Sequence, residues 1–126
     1  MNRRAVYISQ FSHVNPIPNA ARIGAIIASG LIRGVDPQTH EFPATLARQC
    51  AFMFENMRHT VEAAGASLDD IIKVTFWMSP IVRPAINDEW TKMFPDAATR
   101  PARQVMEAPM EPGVLIQCDF LAVIGS

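Results

Sequence analysis

The sequence has little of what would disclose a function at once. No run approaches the roughly 18 uninterrupted apolar residues of a membrane span. The two cysteines, Cys50 and Cys118, lie far apart and form no CxxC, which excludes a zinc knuckle and a thioredoxin-like motif. Eleven Lys and Arg against twelve Asp and Glu give a net charge of −1, so no field attracts phosphate backbones. We therefore expect neither a membrane nor a nucleic acid as partner.

The same composition favours a globular protein of the cytoplasm. At 49% hydrophobic and 18% charged residues the chain is too apolar for disorder, and 126 residues suit one core, so residues 1–126 are expected to form a single domain. The first seven residues contain Arg3 and Arg4 but too few apolar residues for a signal peptide. The cysteines are therefore expected to be reduced, buried and structural.

Hydrophobic periodicity predicts two helices. From Pro43 apolar residues recur at steps of three and four until Gly65 ends the pattern, and they are Leu46, Cys50, Met53, Met57, Val61 and Ala64. Proline suits a first helical turn and glycine the residue past a helix end. A second, shorter helix is predicted over residues 84–94, with a buried stripe of Ile86, Trp90, Met93 and Phe94.

The remaining apolar segments predict strands. They cover residues 5–8, 21–29, 31–35, 69–78, 103–108 and 114–123, the last two joined by the turn-prone segment 109–113. In the strand 69–78, alternation puts Ile72, Val74, Phe76 and Met78 on one face and Ile71, Lys73, Thr75 and Trp77 on the other. This order predicts an α+β fold with two helices on one face of a mainly antiparallel sheet. The second face would be apolar and uncovered, so we expect copies of the chain to associate.

Motifs of the common catalytic sites are missing from the sequence. It has no GxSxG, P-loop, HExxH or GxGxxG, and its three histidines are isolated from one another and from either cysteine. His40 and His59 lie in polar stretches and are expected at the surface. His13, beside asparagine and proline in an early loop, is a weaker candidate for lining a pocket.

Two charged residues in predicted strands are the stronger candidates. Arg103 begins a strand after Pro101-Ala102, and its planar guanidinium could hold a carboxylate by two bonds or form a surface ion pair. Asp119, in an apolar strand, could be a general base or position a water. If the last two strands are neighbours, Arg103 and Asp119 could simply neutralise each other. Asn87 could bond a backbone across a subunit contact or be solvated.

Several segments, taken in order, carry a resemblance to a known family. They are Ile27-Ala28-Ser29-Gly30, Phe54-Glu55-Asn56-Met57, residues 62–75 (EAAGASLDDIIKVT), Asn87, Arg100-Pro101-Ala102-Arg103 and residues 116–123 (IQCDFLAV). Together they resemble the Rid (reactive intermediate deaminase) family, also called YjgF-like, over nearly the whole chain. The resemblance implies a chorismate-mutase-like α+β fold and a homotrimer with ligand sites in the clefts between subunits.

The resemblance also implies an activity and a set of site residues. Family members hydrolyse small enamine and imine acids, such as 2-aminoacrylate and 2-iminopropanoate, to 2-keto acids and ammonia without metal or cofactor. The carboxylate-binding arginine of the family falls on Arg103, and its acidic position on Asp119, where glutamate is usual. Further pocket positions fall on Ser29, Gly30, Asn87, Val105 and Ile17.

Three of these positions depart from the family pattern. Val105 stands where the family often has cysteine, Ile17 where it has a tyrosine, and Asp119 is one methylene shorter than glutamate. Arg103 argues that an acid is still bound, whereas Ile17 and Asp119 argue for a different shape around the reacting carbon. Two alternatives therefore stay open: a trimer that binds carboxylate metabolites without turnover, and a deaminase of another enamine, such as an aminomuconate-type compound.

Overall fold

The computed structural model describes residues 2–125 and consists of one sheet and two α-helices. The strands are β1 (Arg4–Val6), β2 (Ala20–Ile23), β3 (Ile26–Ser29), β4 (Ile32–Arg33), β5 (Ile71–Met78), β6 (Ala102–Glu107) and β7 (Ile116–Val123). The helices are α1 (Leu46–Ala63) and α2 (Arg83–Met93), with short 3-10 turns at Leu68–Asp70 and Ala97–Thr99. The expected α+β class is confirmed.

The order of the strands in the sheet is β1-β2-β3-β7-β5-β6, and β4 also pairs with β7. Every pairing is antiparallel except that of β5 with β6, which is parallel because α2 crosses over between them. The segment 109–113 therefore does not close a hairpin between β6 and β7, as the turn-prone sequence suggested, since β5 lies between these strands. The prediction of a mainly antiparallel sheet is confirmed.

Both helices pack on one face of the sheet. Helix α1 begins after Thr45, whose side chain accepts a bond from the Arg48 backbone N–H. It ends before Gly65, which has a φ of 91° that only glycine adopts freely. The predicted buried stripe of Cys50, Met53, Met57 and Val61 is confirmed.

Aromatic side chains connect the sheet to α2. The rings of Phe54 and Phe76 stack at 5.6 Å, and the Trp90 ring meets Phe76 edge-on at 6.0 Å and Phe94 at 4.8 Å. Aromatic pairs at these distances contribute beyond the area they bury. Trp90 is thereby fixed between α2 and the sheet, which matters for the arginine described below.

Two strand predictions are wrong in detail. The predicted strand 21–29 is a hairpin of β2 and β3, because Gly24 turns the chain at a φ of 57°. In β5 the register shifts between Ile71 and Lys73, so Ile71 is 3% exposed and Ile72 is 49% exposed, the reverse of the predicted faces. A bulge of this kind adds one residue and breaks the alternation that the prediction assumed.

The second face of the sheet is uncovered within the chain and rich in apolar side chains. The larger ones are each between 37% and 57% exposed, and they are Ile23, Ile26, Met106, Leu121 and Val123. Contiguous exposed apolar surface of this kind marks a contact site. We call this surface, with Thr75, Trp77, Gln104 and Asp119 on the same side, the open face.

Candidate functional site

Arg103 is a cation held on the helix side of the sheet edge. Its register partner is the buried Val74, and its Nη2 donates to Asn87 Oδ1 on α2 at 2.5 Å. The guanidinium carbon lies 5.1 Å from the centre of the Trp90 ring, a stacking that suits a planar cation. Asn87 and Trp90 therefore fix the orientation of the guanidinium.

No carboxylate among residues 2–125 forms an ion pair with Arg103. Burial, and then the nearby charge of Arg83, lower the pKa of its guanidinium, but an arginine stays charged at any working pH. The ion pair considered from the sequence is therefore not formed. A rigid, partly buried cation without an acid is suited to an anionic ligand.

Asp119 lies on the open face. Its register partner across β7 and β5 is Thr75, and its Oδ2 accepts a bond of 2.7 Å from the Trp77 indole N–H. The amide of Gln104 donates to the Thr75 hydroxyl at 3.2 Å and extends this polar row to the sheet edge. One carboxylate oxygen is thus oriented by Trp77, and the other has no partner within the described chain.

Arg103 and Asp119 point to opposite faces of one sheet. Arg103 contacts α2 on the helix side, whereas Asp119 shares the open face with Trp77. The strand β5 separates them in the sheet as well. They do not neutralise each other, and one copy of the chain cannot bring both to one small ligand.

Ser29 and Gly30 lie where β3 leaves β7. The Ser29 hydroxyl accepts a bond from the Phe120 backbone N–H at 2.8 Å and lies 2.9 Å from the Gly30 carbonyl, to which it donates. The Gly30 N–H donates to the Asn19 carbonyl at 2.9 Å. These groups fasten the start of β4 to the sheet, next to the strand that carries Asp119.

The other candidate positions are spread over the chain. Asn87 contacts Arg103, and Val105, two residues along β6, packs partly against the core. Ile17 is nearly half exposed in the loop before β2. Within residues 2–125, the structure brings together Arg103 with Asn87, and Ser29 with Gly30, but not these two groups with each other.

Sequence reasoning missed the tryptophans on which this arrangement depends. Trp90 was expected only as a core residue and Trp77 only as a face residue, yet they hold Arg103 and Asp119 in place. Asn87 and Trp90 are three residues apart in α2, and an i, i+3 spacing puts two side chains next to each other on one helix face, which is a usable signal. The Trp77 contact needs the β5 and β7 register, which the bulge hides.

A separate pocket lies between the early loop, β4 and the segment before β7. It has a volume of about 410 Å³ and is lined by Phe11, Ser12, His13, Val14, Asn15, Leu31, Arg33, Val35, His40, Phe42 and Glu111. The suggestion that His13 lines a pocket is confirmed, and the surface role expected of His40 is incomplete because it lines the same pocket.

The cysteines are free and buried, as expected from the sequence. Burial, with smaller contributions from Glu89 and Asp88, raises the pKa of Cys50 to about 12. Burial also raises the pKa of Cys118 well above its usual range. Thiols in this state are poor nucleophiles at neutral pH, so neither is a candidate for nucleophilic catalysis. Among residues 2–125 there is also no helix long and apolar enough to cross a bilayer.

An α+β chain with two helices on one face of a mainly antiparallel sheet is the architecture of YjgF and L-PSP structures. A family model described as Endoribonuclease L-PSP matches residues 7–124. The chain therefore belongs to this family, the YjgF or Rid family, and the resemblance seen in the sequence is confirmed.

Relatives of known name agree with this membership. The chain is 37% identical over 101 residues to the Escherichia coli K12 2-iminobutanoate/2-iminopropanoate deaminase, covering 78% of each chain. It is 31% identical over 113 residues to Escherichia coli K12 TdcF, named as a candidate reactive intermediate deaminase, covering 87% of this chain and 88% of TdcF.

Two solved structures are similar over almost the whole chain. The structure of Escherichia coli TdcF with bound serine has a TM-score of 0.88, 25% identity and coverage of 97% and 99% of the two chains. The Escherichia coli YjgF gene product has a TM-score of 0.86, 26% identity and coverage of 95% and 98%.

Proposed function

We propose that this protein hydrolyses small 2-imino acids and their enamine forms, of the 2-iminopropanoate and 2-aminoacrylate type, to 2-keto acids and ammonia. The observation that carries the proposal is the Arg103 guanidinium, which is oriented by Asn87 and Trp90 and has no acid partner within residues 2–125. Relatives named as deaminases of such compounds make a carboxylate of this class the natural occupant.

Arg103 binds the substrate carboxylate in this proposal. A guanidinium and a carboxylate can form two parallel bonds, which fix the plane of the acid group and the position of the neighbouring carbon C2. Because the imine is already electrophilic, orientation contributes most of the rate enhancement. Val105, two residues further on the same side of β6, would border the imine end.

Asp119 positions the attacking water. The water oxygen adds to C2 of the iminium while the carboxylate takes its proton, and the proton then passes to the nitrogen of the tetrahedral intermediate. The C–N bond breaks and ammonia leaves while the carboxylate takes the proton of the C2 hydroxyl, whose oxygen becomes the keto group. The carboxylate then releases this proton to solvent. The Trp77 indole N–H, 2.7 Å from Oδ2, leaves the other carboxylate oxygen for the water.

The proposal requires a second copy of the chain. Since Arg103 and Asp119 lie on opposite faces of their own sheet, a shared site takes Arg103 from one copy and Asp119 from another. The apolar open face supports such an association. We propose a homotrimer with three such clefts, into which Ser29, Gly30 and Ile17 of one copy also reach. The free thiols are in keeping with a cytoplasmic location.

The ligand in the TdcF structure supports an acid as the substrate. The solved TdcF structure carries serine, a small molecule with a carboxylate. Ile17, where the family tyrosine is expected, and the shorter Asp119 would make room around the reacting carbon, so the preferred side chain of the substrate is expected to differ from that of the relatives.

The test is ammonia release from enzymatically generated 2-iminopropanoate, measured above the uncatalysed rate. Arg103→Met should lower kcat/KM by about a hundredfold, because substrate orientation is lost. Arg48→Met is the matched control, since Arg48 also stacks on an aromatic ring, Phe52, but lies on the outer side of α1. An unchanged rate in Arg103→Met would remove Arg103 from the site.

The alternative, a protein that binds carboxylates without turnover, predicts a different result. If 2-keto acids raise the melting temperature of the wild type but not of Arg103→Met, while no imine is consumed, the protein binds carboxylates without hydrolysing imines. If aminomuconate-type enamines alone are consumed, the chemistry stands and the substrate changes. A ribonuclease role has little support, because a net charge of −1 offers no attraction to RNA.

A further inference from the structure

The pocket beside His13, which the proposed reaction does not use, has the character of a ligand site. Its wall combines aromatic and branched side chains, among them Phe11, Leu31 and Phe42, with a guanidinium and two imidazoles. Small-molecule sites are mostly apolar with a few polar groups that converge. None of the residues that line it contacts Arg103 or Asp119 by a hydrogen bond.

Buried amides hold both walls of this pocket. The side chain of Asn19, 2% exposed, donates to the Phe11 carbonyl at 3.1 Å and accepts from the Ile8 N–H at 3.0 Å. The side chain of Asn56, fully buried in α1, donates to the Arg33 carbonyl at 3.0 Å. The early loop and β4 are thus fixed independently, so the pocket is preformed.

The third wall is a tight turn. The Asp36 N–H donates to the Glu41 carbonyl at 2.9 Å, and the His40 N–H donates to the Asp36 carbonyl at 2.8 Å. His40 has a φ of 62°, a conformation that side chains rarely adopt. This turn places His40 and Phe42 in the pocket wall.

The polar groups of the pocket include one imidazole nitrogen that has no partner in the described part of the chain. The His13 Nε2 is buried and has no hydrogen-bond partner within residues 2–125, and it lies 3.9 Å from where a Cβ on Gly30 would stand. Burial and the Arg33 charge lower the pKa of this imidazole, so it is neutral at pH 7 and one of its nitrogens carries a proton.

Arg33 supplies the positive charge of the pocket. Its Nε donates to Gln117 at 3.3 Å and its Nη2 lies 3.3 Å from a Glu111 carboxylate oxygen. The Glu111 side chain is 70% exposed, and exposed ion pairs contribute little, so a ligand can replace it at low cost. Glu111 thus marks where a ligand carboxylate would lie.

We propose that this pocket binds a small organic acid with an apolar body. Its carboxylate takes the place of Glu111 on Arg33 and accepts a bond from His13 Nε2, and its apolar part packs between Phe11, Leu31 and Phe42. This second site lies within one chain and does not depend on the proposed deamination at Arg103.

The test is a calorimetric titration with benzoate, with benzamide as the uncharged control. The wild type should bind benzoate and not benzamide at the pocket. Arg33→Met should lose this binding and Arg103→Met should retain it. His13→Phe, which keeps the ring shape and removes the nitrogen, should weaken it about tenfold, as for loss of one hydrogen bond to a charge.

A variant that is expected to bind benzoate more tightly provides a test that misfolding cannot mimic. Glu111→Gln removes the competing carboxylate and should tighten benzoate binding about two- to fivefold, the worth of an exposed ion pair. A variant that failed to fold could not produce this result. Two sites in the wild type, one lost in Arg33→Met and the other in Arg103→Met, would support this site and the proposed function together.

Other outcomes separate the two proposals. Loss of all benzoate binding in Arg103→Met overturns the pocket at Arg33 and leaves the proposed function standing. No binding at millimolar benzoate in the wild type, or equal binding of benzamide, also overturns it. Loss of ammonia release in Arg103→Met, with benzoate binding retained at the pocket beside Arg33, supports both.

Discussion

At the scale of the residue, what distinguishes the candidate site is that no acid among residues 2–125 forms an ion pair with Arg103. The sequence identified Arg103, Asp119 and Asn87 as candidates for separate reasons. It could not pair Arg103 with Asn87, because the contact depends on how α2 packs over the edge of β6. A carbonyl oxygen of an amide orients a guanidinium and leaves its charge for a ligand.

The cysteines give a prediction at the same scale. Because burial raises the pKa of Cys50 to about 12 and that of Cys118 well above its usual range, neither thiol should form thiolate in the folded protein near neutral pH. A disulfide reagent such as DTNB should therefore report no reaction with native protein and two thiols per chain after unfolding in urea. Rapid reaction of a native thiol would contradict the burial of that residue.

At the scale of the element, periodicity located the helices and missed the irregularities. The apolar spacing of α1 is visible in the sequence because a long helix averages over many positions. The bulge at Ile71 and Ile72 is set by pairing with β7, a strand about 50 residues away, and leaves no local signal. The parallel pairing of β5 and β6 likewise follows from the α2 crossover.

Asp70 fastens the entry of β5 to the end of the described chain. Its Oδ2 accepts from the Ser67 N–H at 2.9 Å and its Oδ1 from the Gly125 N–H at 3.0 Å. Asp70→Asn turns one acceptor into a donor and should lower the free energy of unfolding by about 1 kcal/mol, as for loss of a cap. Urea denaturation near pH 7 measures this.

The difference in unfolding free energy between the wild type and Asp70→Asn is expected to shrink as the pH falls. The bonds from Gly125 and Ser67 lower the pKa of Asp70 below 3.8, so the folded state binds fewer protons than the unfolded state in this range. The stabilisation is present above pH 3.8 and is lost as pH falls through the folded pKa. Wild type and Asp70→Asn should converge in acid, and a constant difference would contradict the account.

Gly34 limits how closely β4 can approach α1. A Cβ at this position would overlap the backbone carbonyl of Gln49, and backbone cannot rotate away as a side chain would. Gly34→Ala should destabilise the fold by about 2–3 kcal/mol through overpacking. Gly125→Ala, where the added carbon meets only ordinary contact, should change stability little. Thermal melting of both variants decides this, and equal melting temperatures would contradict the close approach.

At the scale of the whole molecule, the open face and the separation of Arg103 from Asp119 both favour an association between copies of the chain. The sequence predicted an uncovered apolar face from the pattern of both strand faces, and the structure bears this out. It could not predict that Arg103 and Asp119 face apart, because that depends on β5 lying between β6 and β7. The proposed chemistry therefore needs more than one copy of the chain.

Complementation between inactive variants tests this shared site most directly. Arg103→Ala and Asp119→Ala should each lack deaminase activity alone. The two variants are unfolded, mixed in equal amounts and refolded together. A site is then intact only when an Asp119→Ala copy supplies Arg103 and an Arg103→Ala copy supplies Asp119. This holds for about a quarter of the sites in a ring with heterologous contacts. We predict recovery of about a quarter of wild-type ammonia release. No recovery from a mixture that reassembles fully, as judged by its mass in solution, would contradict a site built from two copies.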